Sequence, residues 1–165
     1  MKPSFGRTVL AGLVGGLAFN LTMFVTYRLI GFGLHGQGIL MDPKLQSPKL
    51  ISVWTTPPLP RVLQMPPALI MVCLLGVGII HAFFYRLVAS VWPAGVVQRA
   101  LHMAFWVFLL VFVFWEFFTP FNQLHEPLPL IGLELFFWLL IATAEALAIA
   151  AVMERKPADR RVKVP

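Results

Sequence analysis

Five residues able to do chemistry stand in runs of sequence that would otherwise leave them nothing polar to touch: His81, His102, Glu116, Glu134 and Glu145. His81 belongs to PALIMVCLLGVGIIHAFF, His102 and Glu116 to ALHMAFWVFLLVFVFWEFF, and Glu134 and Glu145 to PLIGLELFFWLLIATAEALAIAAVM. At about 100° per helical residue, His102 and Glu116 project within about 40° of one another, and Glu134 and Glu145 within about 20°. One helix is therefore expected to carry the stripe His102, Trp106, Leu109, Val113, Glu116. The next carries Glu134, Trp138, Ile141, Glu145.

Folding the last two segments antiparallel about His125 places Glu116 level with Glu134, and His102 level with Glu145. His81 comes to the same level as His102 when the second and third segments are folded about the Trp92–Pro93 connection. Two layers follow. The inner one, His81, His102 and Glu145, has donors suited to axial haem ligation, a divalent metal, a proton relay or a quinone headgroup. The bland alternative is a set of hydrogen bonds that fix helix register. The outer layer holds Glu116 and Glu134, with Arg28 as the simplest partner. Two carboxylates at one depth repel unless a proton or a cation lies between them. An ion-paired structural network, a cation or proton uptake site, and a partner-protein contact are the three readings of that layer. Asn122, His125 and Glu126 flank it, and His125 and Glu126 read as solvated loop residues.

The elements that must position these groups follow from hydropathy. Of the 165 residues, 59% are hydrophobic and 12% charged, and the mean hydropathy of +0.82 lies outside the range of ordinary soluble domains. The expected fold is all-α: a polytopic four-transmembrane-helix bundle, with spans at about 8–30, 67–85, 100–118 and 129–153. Residues 1–153 form one membrane domain, and 154–165 a basic cytoplasmic tail. The third connection, Thr119 to Leu128, has no Lys or Arg.

Residues 31–61 form a long extracytoplasmic loop between helices 1 and 2, rich in Gly and Pro. Two helix starts can be read in it, Asp42 before Pro43 and Ser47 before Pro48, each a capping residue followed by proline. In the first span Gly12 and Gly16 make a GxxxG pair, suited to close packing within the chain or to dimerisation, and Asn20 continues that face toward an interhelical hydrogen bond. Nine Lys and Arg flank the ends that share a side with both termini, against Arg28, Lys44, Lys49 and Arg61 on the other side. That asymmetry places both termini in the cytoplasm, in a bacterial inner membrane.

Cys73 stands alone, which excludes an intrachain disulfide and a thiolate metal cage. The +6 charge follows from Lys and Arg placement about the membrane and calls for no nucleic acid. The chain has no phosphate-cradling glycine loop, HExxH or GxSxG motif. A non-enzymatic accessory or assembly subunit is the leading expectation, with the bilayer and a membrane-protein partner or a homo-oligomer as contacts. A redox subunit holding haem b or quinone through His81 and His102 is the first alternative. Proton- or ion-coupled transport by an oligomer, using Glu145 with Glu116 and Glu134, is the second.

Overall fold

A computed structural model describes residues 3–155, so most of the basic tail, from Lys156 on, lies outside the described residues. Four helices are long and apolar enough to cross a membrane: α1 (Phe5–Gly31), α4 (Pro67–Val91), α5 (Val96–Leu124) and α6 (Leu128–Met153). The 26 residues of α6 extend about 39 Å at 1.5 Å per residue, more than a ~30 Å hydrocarbon layer. All four exceed or equal the lengths expected from hydropathy, because capping and wide terminal turns carry the helix past the apolar run. At the start of α1, for instance, Ser4 accepts the Arg7 N–H at 3.3 Å.

The helices alternate in direction. Near the termini, Arg7 donates to the Val152 carbonyl at 2.8 Å and to the Arg155 carbonyl, while Arg99 and Tyr85 both donate to Glu154, at 2.7 and 2.8 Å. α1 and α6 form the central pair. α4 lies on the outer flank of α1 and α5 on the outer flank of α6, so α4 and α5, though consecutive, share no sustained contact. Large apolar side chains such as Leu17, Leu21, Val72, Ile80, Leu110 and Phe114 are exposed around the bundle. Exposed apolar side chains on this scale suit a surface that faces lipid.

Glycine sets the α1–α4 distance. A Cβ on Gly12 would stand 2.4 Å from the Ile79 Cα, and one on Gly78 would stand 2.4 Å from the Gly12 carbonyl oxygen. Gly16 meets the Leu75 Cα in the same way, at 2.8 Å. The GxxxG pair is thus used within the chain. Asn20 behaves otherwise than expected: its amide donates to the Gly16 carbonyl of its own helix at 2.8 Å, because the stretch of α4 at that level, ALIMV, offers only apolar side chains.

The loop between α1 and α4 contains two short helices, α2 (Pro48–Thr55) and α3 (Arg61–Gln64). Ser47 caps α2, accepting the Leu50 N–H at 3.1 Å, with Pro48 in the first turn. The Asp42–Pro43 start makes a turn instead of a helix. Asp42 accepts from Lys44 through its side chain, and from Leu45 and Gln46 through its carbonyl, so the chain is bent back before a second helical turn can form.

Wide turns, with N–H bonded five residues back, occupy Phe24–Gly31 of α1 and Phe108–Val113 and Phe117–Phe121 of α5. Pro120, which has no N–H to give, lies in the last of them. These turns alter which residues face inward. Along α5 the buried positions run Ala100, Met103, Ala104, Val107 and then, after a five-residue step, Phe112, Glu116 and Pro120. A residue in a wide turn advances by less than 100°, so the stripe drawn through Trp106 and Leu109 is rotated out, and both are exposed.

Candidate functional site

Glu116, Glu126 and Glu134 converge at the loop end of the bundle, with one carboxylate oxygen of each within 4.8 Å of the others. They are 0%, 2% and 8% exposed, so bulk water does not solvate them. Glu116 reaches inward from the short α-helical stretch between the two wide turns of α5, and Glu134 from the second turn of α6. Glu126 arrives by a different route. His125 takes a left-handed conformation (φ 57°), turning the chain so that the Glu126 N–H returns to the Pro120 carbonyl at 3.0 Å and its side chain tucks beneath the connection.

Each acid is oriented by its own neighbours. Trp138 Nε1–H donates to Glu116 Oε1 at 2.5 Å, and Gln46 Nε2–H donates to Glu126 Oε1 at 2.5 Å. Glu134 extends toward Glu116 and the Tyr27 hydroxyl. Three buried oxygens are left over: Glu116 Oε2, Glu126 Oε2 and the Tyr27 hydroxyl have no hydrogen-bond partner. Buried polar atoms without a partner are rare in folded proteins and call for an explanation.

The loop closes over this centre. Gln46, 4% exposed, is held there by the Asp42 turn, Ser47 Oγ–H donates to the Leu124 carbonyl at 2.7 Å, and Lys49 Nζ donates to the Gln123 carbonyl at 2.5 Å. Beneath the centre lies a floor of aromatic rings. Phe112 stacks on Trp138 with centroids 4.3 Å apart, Tyr27 packs against Trp138 at 4.9 Å, and Phe19 approaches both Phe112 and Trp138 at 6.4 Å.

Burial pushes the Glu126 carboxyl above its ordinary value of 4.5, and the Gln46 bond offsets part of that push. The folded protein therefore holds this proton more tightly than the unfolded chain does. The associated stability is full below about 4.5 and is lost as pH rises through the elevated value. Melting in chelator is expected to weaken with rising pH across that window, and to do so less in Glu126→Gln. Superimposable pH profiles for the two proteins would mean that Glu126 is solvated.

Several expected neighbours are elsewhere. Among the described residues Arg28 pairs with no carboxylate: it is exposed, and its guanidinium donates to the Gly33 and Leu34 carbonyls. The wide turn that ends α1 points it along the loop instead of into the bundle. Glu126, read as a solvated loop residue, is one of the three buried acids, whereas His125 and Asn122 are exposed. Only a backbone reversal separates the fates of 125 and 126, and no composition signal marks it.

The inner layer forms in part. His81 Nδ1–H lies 3.0 and 2.9 Å from the two oxygens of Glu145, which is 1% exposed. His102 does not join them. Its Nδ1–H donates to the Gln98 carbonyl of its own helix at 2.8 Å, and its ring lies against Trp92 with centroids 6.0 Å apart. The cause is the placement of α4 and α5 on opposite flanks of the central pair. Among the described residues, the one cluster with metal-ligand spacing is the acidic trio, and it includes neither imidazole. In comparisons with known proteins, the chain matches no protein family, no curated protein and no solved structure.

Proposed function

We propose that this chain is a non-enzymatic, multi-pass membrane protein that holds a cation in its acidic centre and acts as an accessory or assembly subunit, presenting a loop face locked by that cation. The termini lie in the cytoplasm and the loop on the outer side, in keeping with the Lys and Arg asymmetry. The observation that carries the reading is the trio itself: three buried carboxylates with two unpartnered oxygens and, among the described residues, no salt bridge to Lys or Arg. Three negative charges so close in an apolar interior require neutralisation by protons or a bound cation.

The aromatic floor favours holding over conduction. Glu134 and Glu145 are eleven residues apart on α6, or about 16 Å, and Trp138, Phe112 and Phe19 occupy the level between them. A single chain therefore offers no polar path from one acid to the other. The loop bonds from Gln46, Ser47 and Lys49 all end on the segment that carries Glu126, so neutralising Glu126 steadies the outer surface that a partner would meet.

The test is melting of the detergent-purified, chelator-treated protein against a panel of Na⁺, K⁺, Mg²⁺, Ca²⁺ and Mn²⁺. At least one is expected to stabilise it, by about 2.7 kcal/mol at a hundredfold excess over its dissociation constant, while liposomes containing the chain alone show no cation flux. Stability indifferent to every cation would remove the reading. Flux through the lone chain would replace it with transport.

A further inference from the structure

We infer that the acidic centre is a site for one hard divalent cation, the class of Ca²⁺, Mn²⁺ and Mg²⁺. This rests on the cation-holding function above and names the ligand. The donor set is entirely oxygen: Glu116, Glu126 and Glu134, with the Tyr27 hydroxyl beside them. Oxygen-only sites suit Ca²⁺, Mn²⁺ and Mg²⁺, whereas Zn²⁺ and Cu²⁺ sites draw on imidazole or thiolate. His125 and Cys73 are both exposed.

Beyond the acid count, the orientation of the acids points to a ligand. Glu116 and Glu126 each spend Oε1 on a fixed donor, Trp138 and Gln46, and each leaves Oε2 buried and unpaired. Ligating carboxylates are commonly held in this way, with one oxygen oriented by a neighbour and the other on the metal. The Tyr27 hydroxyl, on a different helix, is a third buried oxygen; it lies beside Glu134 but closes no hydrogen bond of normal geometry.

Charge narrows the class. One oxygen from each of the three acids lies within 4.8 Å of the others, so a single cation can be shared by all three. Three ionised carboxylates leave two uncompensated charges around a monovalent ion and one around a divalent ion. In an apolar interior the smaller remainder is favoured. The cation arrives from the loop side past Gln46, because the rings of Phe112 and Trp138 close the other side.

Mn²⁺ is the probe. Chelator-treated wild-type protein in detergent, titrated with Mn²⁺ and followed by electron paramagnetic resonance of the free ion, is expected to take up one Mn²⁺ per chain, and Ca²⁺ is expected to displace it. Glu116→Gln and Glu126→Gln should each weaken uptake by about 100-fold, and Gln46→Ala, which removes an orienting bond, by about 10-fold. Melting of each variant in chelator checks that the fold survives, as expected when a buried charge is replaced by its neutral isostere. Folded wild-type protein that takes up no Mn²⁺, or a folded Glu116→Gln that takes it up as tightly as wild type, would overturn the divalent site. If Na⁺ or K⁺ still stabilises the protein in that case, the cation-holding function stands and only the ligand class falls. If no cation does, both fall together.

Discussion

Gly78→Leu is expected to drive α4 away from α1 and to lose more stability than any other single substitution on that face. The obstacle is main chain. A Cβ at residue 78 would meet the Gly12 carbonyl oxygen at 2.4 Å, the Gly16 nitrogen at 2.5 Å and the Gly16 Cα at 2.6 Å. None of these atoms can rotate aside, so the helices must separate. Overpacking a well-fitted interior ordinarily costs about 1–3 kcal/mol, and separation also forfeits the dispersion contacts that hold helices together in lipid. Gly76 provides the control, since a Cβ there meets nothing within 4 Å. Gly76→Ala should be neutral, or stabilise by about 0.5–1 kcal/mol through lower backbone entropy. Unfolding of both variants in mixed detergent micelles measures the difference, and equal midpoints would mean that α1 and α4 do not cross at these glycines.

Trp138→Ala should cost about 3–5 kcal/mol and open the floor of the acidic centre. The ring stacks on Phe112, contacts Tyr27 and Phe19, and gives Glu116 its hydrogen bond. Truncation removes the aromatic layer and leaves both Glu116 oxygens without a partner. Trp138→Phe helps to separate the two losses, because it keeps an aromatic ring on α6 while deleting the N–H together with the pyrrole half of the indole. Its cost should be about 1–3 kcal/mol, the penalty for an abandoned buried acceptor. Equal destabilisation by Ala and Phe would assign the whole effect to the hydrogen bond. No effect from Phe would mean that Glu116 is satisfied by something other than Trp138.

Both predictions depend on contacts that differ in how visible they are from composition alone. The glycine face of α1 was legible because GxxxG spacing has one physical use in an apolar helix, close approach. Its partner residues on α4 were not, since any smooth apolar surface serves equally well. Glu134 and Glu145 were legible as inward-facing because α6 is a regular helix from end to end, and a constant angular step carries the projection across all of it. The same projection failed on α5, where the wide turn at Phe108–Val113 changes the phase after Val107.

What the residues determined without any tertiary information is the number and span of apolar helices, their alternating course, and the common depth of Glu116 and Glu134. These follow from local quantities: hydropathy, helical rise and connection length. What the tertiary structure decided is lateral order and backbone exceptions. The order α4, α1, α6, α5 across the bundle separates His102 from His81, although sequence adjacency brings them level. A single left-handed residue, His125, converts Glu126 from a loop acid into the third member of a buried cluster. Such outcomes turn on small free-energy differences among packings that satisfy the same hydropathy, and only the assembled bundle selects between them.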